Sequence, residues 1–152
     1  MSPLAILAAL AVQAAAPADP ASAEAVAVMV PVNAVFAAPA ARDGARLAPH
    51  FDPEARMIVA LERPDGARSI RRLTGAEFAA GLRPGAERFE EVMPDPVILI
   101  DGDVAAVFGR YRFKVDGAVV HCGANHFDII RKDGAWTIAG ITWSQRTTGC
   151  EG

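Results

Sequence analysis

The chain is poor in the residues that mark most catalytic centres. Its 152 residues include two cysteines, three histidines and one tyrosine. No Cys-x-x-Cys pair occurs, and only His121 among the histidines stands beside a cysteine. Zinc centres need three or four converging ligands at a recognisable spacing, so no metal and no cofactor is expected. A Gly-x-Ser-x-Gly elbow is missing, as is a glycine loop able to cradle phosphate, which excludes the templates that need them. No charge block exists: 15 basic and 18 acidic residues are scattered, for a net charge of −3. That pattern lacks the basic footprint of a nucleic-acid binder, and no such partner is expected. No apolar run reaches the length of about 18 residues that a spanning helix requires.

What is present is a globular composition, 52% hydrophobic and 22% charged, with 11 prolines and 13 glycines. The length suits one domain. Residues 4–16, LAILAALAVQAAA, form a short apolar run, and Ala16-Pro17-Ala18 and Ala21-Ser22-Ala23 both fit a small-x-small cleavage site. Residues 1–18 therefore read as a signal peptide and 19–152 as one domain, exported to the periplasm or secreted. The leader lacks a basic residue ahead of the run, and an Ala-rich disordered or helical leader is the competing reading. Cys122 and Cys150 would persist as a disulfide in an oxidising compartment. The alternative is two free thiols.

Residues 23–41 show apolar helical spacing, with Pro31 expected to kink the helix or start a new one. A second short helix spans 43–50. Met57–Glu62 alternates as a strand, Pro64-Asp65-Gly66 turns, and Ser69–Leu73 returns. Thr74 with Glu77 three residues on forms a capping box for a helix over 75–82. A linker with Pro94 and Pro96 follows. The last third then reads as four strands joined at Asp101-Gly102, Asp116-Gly117 and Asp133-Gly134. Asp-Gly between alternating apolar runs favours two-residue turns that need φ > 0. The fold class is α+β, about six strands in a curved antiparallel sheet with three helices on one side.

Uninterrupted hairpins would place His121 opposite Arg112 on one side and Arg146 on the other. The next rungs would be Arg110, Gly123 and Ser144, then Phe108, Asn125 and Thr142. Period-two alternation puts these on one face, and a bulge anywhere would scramble the set. Two guanidinium groups flanking an imidazole could hold a carboxylate or phosphate. Arg112, His121, Asn125, Ser144 and Arg146 are therefore the candidate ligand-binding residues, with His121 the candidate general acid or base. A solvated sheet end, with arginines lying over apolar surface, is the competing reading. His126 and Asp128 share the opposite face as a possible dyad or a surface hydrogen bond.

The segments DPEARM and FDIIRKDGAWTIAGI, and the order of elements, resemble the nuclear transport factor 2-like superfamily, which includes SnoaL-like, ketosteroid-isomerase-like and lumazine-binding-like proteins. HCGANHFDIIRKDGAWTI, with a basic residue and a cysteine near the end, resembles a narrower exported group. The resemblance implies a cone-shaped, cystatin-like fold, often with a pocket between helix and sheet. It also implies a homodimer through the outer sheet face. The isomerase chemistry of that superfamily uses a Tyr donor and an Asp base in an apolar pocket. Tyr111 faces away from His121 in the uninterrupted register and no matching Asp stands out, so that chemistry does not carry over. The expected function is an exported binder of a small polar or anionic molecule. Two alternatives stand beside it: a lyase or isomerase using His121, and a non-catalytic dimerisation or accessory domain.

Overall fold

A computed structural model describes residues 16–151. Most of the expected signal peptide, residues 1–15, lies outside the described residues. Ala18 is already part of the fold: it packs against the core, and its N–H donates to the carbonyl of Ile98 at 2.7 Å.

Helix α1 runs Ala23–Ala41. Ser22 caps it, its hydroxyl accepting from the Ala25 N–H, and Arg42 ends it in the left-handed region at φ 52. The helix continues through both Pro31 and Pro39 without a break. Burial offsets the lost donors: Val28 and Val32 are fully buried on the face that carries Pro31. By length and composition this helix is apolar enough to cross a membrane, although Glu24 and Asn33 keep it from being an unbroken apolar run. In the fold it is the core helix.

A short 3-10 helix, Gly44–His50, leads into β1, Phe51–Glu62, which pairs with β2, Arg68–Thr74. Helix α2, Gly75–Gly81, carries the expected capping box. Glu77 accepts from the Thr74 N–H at 2.7 Å while the Thr74 hydroxyl accepts from the Glu77 N–H at 3.1 Å. Then come β3, Phe89–Val92, and the meander β4, Val97–Asp101; β5, Val104–Val115; β6, Ala118–Lys132; and β7, Ala135–Arg146. The sheet order is β2-β1-β7-β6-β5-β3, with β4 also pairing β5. Among the described residues the architecture is α+β: three helices and a curved, unclosed sheet of seven strands. One pair, β1 with β7, is parallel, so the sheet is mixed rather than wholly antiparallel. A strand from the start of the chain closes onto one from its end, and no local pattern marks that pairing.

The core lies between α1 and the concave sheet face. Val28, Val32 and Val35 meet Phe127, Ile129, Ile138 and Ile141. Phe36 packs edge-on to Phe127 at 5.9 Å between ring centres. The β6–β7 hairpin is fastened to the start of α1: Glu24 pairs with Arg131 and accepts from the Trp136 indole N–H at 3.2 Å.

Two of the three turns fall as expected, with Asp116-Gly117 and Asp133-Gly134 at φ between 51 and 88. The first sits one residue later, because Asp101 pairs with Val104 and only Gly102 takes positive φ. Two bulges then change the faces. One lies where the β5–β6 register shifts after Phe113, the other where β6–β7 shifts between Asp128 and Ile129. An extra residue on one strand exchanges the sides of everything beyond it relative to its neighbour. His121 therefore faces Phe113 rather than Arg112, and Cys122 stands opposite both Arg112 and Arg146. Asn125 faces Gly109 and Trp143, not Phe108 and Thr142.

The Cys122–Cys150 disulfide forms, with its Cα atoms 5.5 Å apart. Gly149, at φ 64, turns the tail back after β7.

Candidate functional site

A cavity of about 160 Å³ opens between α1, α2 and the concave sheet face. Val35, Phe78, Phe127, Ile141 and Trp143 make an apolar wall, and Phe78 meets Trp143 edge-on at 5.9 Å. Five polar side chains line it: Glu91, Tyr111, His121, Asn125 and Gln145.

The sheet register positions them. Glu91 of β3 pairs with Phe113 of β5, which pairs with His121 of β6, so these three form one row. Phe113 and His121 stack face to face at 4.6 Å. Asn125, 4% exposed, donates from Nδ2 to Glu91 Oε1 at 3.0 Å. Burial pushes the Glu91 carboxyl up to about 7, although the Asn125 hydrogen bond pulls the other way. The Tyr111 hydroxyl lies 3.1 Å from the Ser144 carbonyl and 3.2 Å from His121 Nδ1. A carbonyl can only accept, so the tyrosine proton goes to Ser144. His121 must then carry its proton on Nδ1 and donate it to the phenol oxygen, which leaves Nε2 as an acceptor. Burial holds His121 below the usual imidazole range, in keeping with a neutral ring. Burial, with the Glu91 charge second, also pushes the Tyr111 phenol well above its usual range.

With the helix, curved sheet and cavity in place, the chain can be set beside known proteins. No family model and no curated protein matches it. Solved structures do. An NTF2-like protein of unknown function from Shewanella baltica superposes with a TM-score of 0.58 at 14% identity, over 80% of this chain and 93% of its own. A protein of unknown function with a cystatin-like fold, from Nostoc punctiforme, gives 0.62 at 12% identity over 84% and 95%. The beta subunit of a candidate aromatic-ring-hydroxylating dioxygenase from Novosphingobium aromaticivorans gives 0.64 at 15% identity over 80% and 88%. The fold is the NTF2-like, cystatin-like fold of these solved structures.

Within this fold the expected five-residue site is divided between two sides of the sheet. His121 and Asn125 line the cavity. Arg112 and Arg146 line a separate cleft on the convex side. The Ser144 hydroxyl accepts from the Ala124 N–H at 3.0 Å, and its carbonyl, not its side chain, serves Tyr111. The expected Arg112–His121–Arg146 rung does not form, because both bulges fall between its members and their turns. Tyr111, expected to face away from His121, is bonded to it. His126, half-buried, and Asp128, exposed, stand 3.8 Å apart on the convex face, a surface pair.

Glu91 escaped the sequence reading. Its strand is four residues long and holds two acids, FEEV, so it passes for linker. The one available signal was a carboxylate set between Phe89 and Met93. Among the described residues no group of three or more His, Cys, Asp or Glu side chains converges as metal ligands. A larger open groove of about 860 Å³ beside the end of α1 is lined by small residues together with Arg42, Asp43, Glu87 and Arg88. Its Arg42 is already engaged with the Arg83 and Glu87 carbonyls and the Glu87 carboxylate. The smaller cavity is the one that combines an apolar wall with buried polar groups.

Proposed function

We propose that this is an exported small-molecule-binding protein whose cavity takes one polar, uncharged, ring-sized molecule. The observation that carries this reading is the pairing of an apolar wall with Glu91–Asn125 and Tyr111–His121 on one small cavity. Binding sites combine these elements, with apolar area supplying affinity and a few polar groups fixing orientation. A dry cavity of about 150 Å³ accommodates benzene, which sets the scale for the ligand. Among the described residues no cationic side chain lines this cavity, and Glu91 once ionised would repel an anion, so the ligand is polar without negative charge. Export is supported by the apolar run at 4–16 and by the disulfide.

The test is a thermal-shift screen of single-ring phenols, lactams and carboxylates, followed by titration calorimetry. Neutral ring compounds should stabilise the wild type, and Trp143→Ala or Asn125→Ala should abolish the effect. Stabilisation only by carboxylates would overturn the reading.

A second reading is favoured by one observation. A carboxyl pushed up to about 7 by burial, lining the same cavity as a neutral histidine, suits proton transfer in a lyase or isomerase, with Glu91 or His121 Nε2 as the base. Turnover of a bound ligand that is lost in Glu91→Gln would select it.

The partner expected from the resemblance, a second copy of the chain, belongs to the same proposal. Val97, Leu99, Val104 and Phe108 stand exposed in neighbouring rungs of β4 and β5 on the convex face. Sedimentation should give a dimer that Phe108→Glu dissociates; a monomeric wild type at high concentration would end this part of the proposal.

A further inference from the structure

A second concavity lies behind the first. It holds about 120 Å³ on the convex side of the sheet, and Tyr111 borders both. Arg110, Arg112, Arg146, Cys122, Cys150 and Glu151 line it. Arg112, Cys122 and Arg146 form one rung across β5, β6 and β7. Strands lie about 4.8 Å apart, so the two arginine backbones are about 10 Å apart with only a small cysteine between them. Their side chains can therefore close on one group above the disulfide. Arg110, two residues along β5, projects to the same side. Arg112 and Arg146 are each partly buried.

The charges of these three arginines are not spent inside the protein. Among the described residues none of the three lies within ion-pair distance of a carboxylate. Three like charges gathered on one concave surface, in a chain of net charge −3, repel one another unless an anion lies between them. The surface is also built. The Cys122–Cys150 bridge makes its floor, and the tail that turns at Gly149 makes its wall.

We propose that this cleft is an oxyanion site, which takes a phosphate or carboxylate group carried by a small dissolved molecule. Arg112 and Arg146 grip it from either side by charge-assisted, bidentate hydrogen bonds, with Arg110 at the rim. The site keeps the two arginines of the rung expected from sequence and drops the histidine, which faces the other way. Glu151 is the one acidic side chain on the wall and competes with the bound group. The proposal stands independently of what the inner cavity binds.

Titration calorimetry of the oxidised full chain at low salt, with inorganic phosphate and with citrate as probes, tests it. One ion should bind per chain, and high salt should weaken binding. Arg112→Ala and Arg146→Ala should each weaken it at least tenfold, as loss of a charge-assisted contact requires. Arg146→Lys keeps the charge but not the fork, and should fall between Arg146→Ala and the wild type. Glu151→Gln should tighten binding about two- to threefold, since a screened repulsion is removed. Phosphate alone, citrate alone or both titrating would support the site and name its chemistry. Circular dichroism confirms that each variant is folded; should either alanine variant fail to fold, Arg110→Ala and Glu151→Gln carry the test. Absence of binding by either probe would overturn the proposal. So would folded arginine variants that titrate like the wild type, or binding only to vesicles of anionic lipid.

Discussion

Glu91→Gln removes one proton site while keeping shape and hydrogen bonding, because the Gln carbonyl can still accept from Asn125 Nδ2. In the folded chain burial raises the Glu91 carboxyl from 4.5 to about 7. Each tenfold gain in proton affinity corresponds to about 1.4 kcal/mol, and the open mouth of the cavity reduces the total, leaving on the order of 2–3 kcal/mol. The sign follows from which state holds the proton. Between 4.5 and about 7 the folded chain keeps a proton that the unfolded chain has released. Stability contributed by this group is therefore full below the lower value and is lost as pH rises through the upper one. Gln has no such dependence. The wild type should match Glu91→Gln near the low end of that window. By about pH 8 it should be less stable than the variant by on the order of 2–3 kcal/mol. Urea unfolding followed by the fluorescence of Trp136 and Trp143, at half-unit steps of pH, measures the difference. Titrations common to both proteins cancel in it. A difference that stays constant across the window, or one that grows as pH falls, would refute the burial of the carboxyl and with it the polar half of the cavity.

Tyr111 is the only tyrosine, so the ultraviolet signal of phenolate reports on it alone. At a pH where the unfolded chain in urea is mostly ionised, the native chain should show none, because burial and Glu91 oppose the phenolate; coincident titrations would show that Tyr111 is open to water. Cys150→Ala should cost about 3–4 kcal/mol on the chain-entropy model, since the bridge closes a separation of 28 residues. Thiol titration of unfolded, unreduced wild type should find none, and two per chain would remove the bridge. Gly123→Ala should lower the melting temperature sharply, because its added carbon falls on the Ser144 carbonyl oxygen and the two strands must part. An unchanged melting temperature would mean that β6 and β7 do not approach as closely as described.

Much of the fold was legible locally. Thr74 and Glu77 announce a helix start because the cap is satisfied within four residues. Asp116-Gly117 and Asp133-Gly134 announce hairpins because few residue pairs tolerate positive φ together. The division of β6 into two faces, with His121, Asn125 and Phe127 on one and Cys122, His126 and Asp128 on the other, follows from strand geometry alone. The candidate site was only half legible. His121 and Asn125 share a face in both the sequence pattern and the structure, but Arg112 and Arg146, expected beside them, lie on the other side of the sheet.

The missing half has a physical origin. A strand's own alternation is a property of its backbone, and so the sequence by itself determined the Thr74 capping box, two turns and the α+β class, while the tertiary structure chose the disulfide over two free thiols. Which faces of neighbouring strands coincide depends on the bulges after Phe113 and beyond Asp128, where the sheet curves around α1. Each bulge bends its strand and exchanges one set of side chains for the other, and where it falls is decided together with packing across the core. The tertiary structure therefore decided that Tyr111 rather than Arg112 joins His121, that Glu91 enters from an edge strand, and that β1 lies parallel to β7. It sent Arg112 and Arg146 to the outside, because a one-residue slip in a period of two always changes sides.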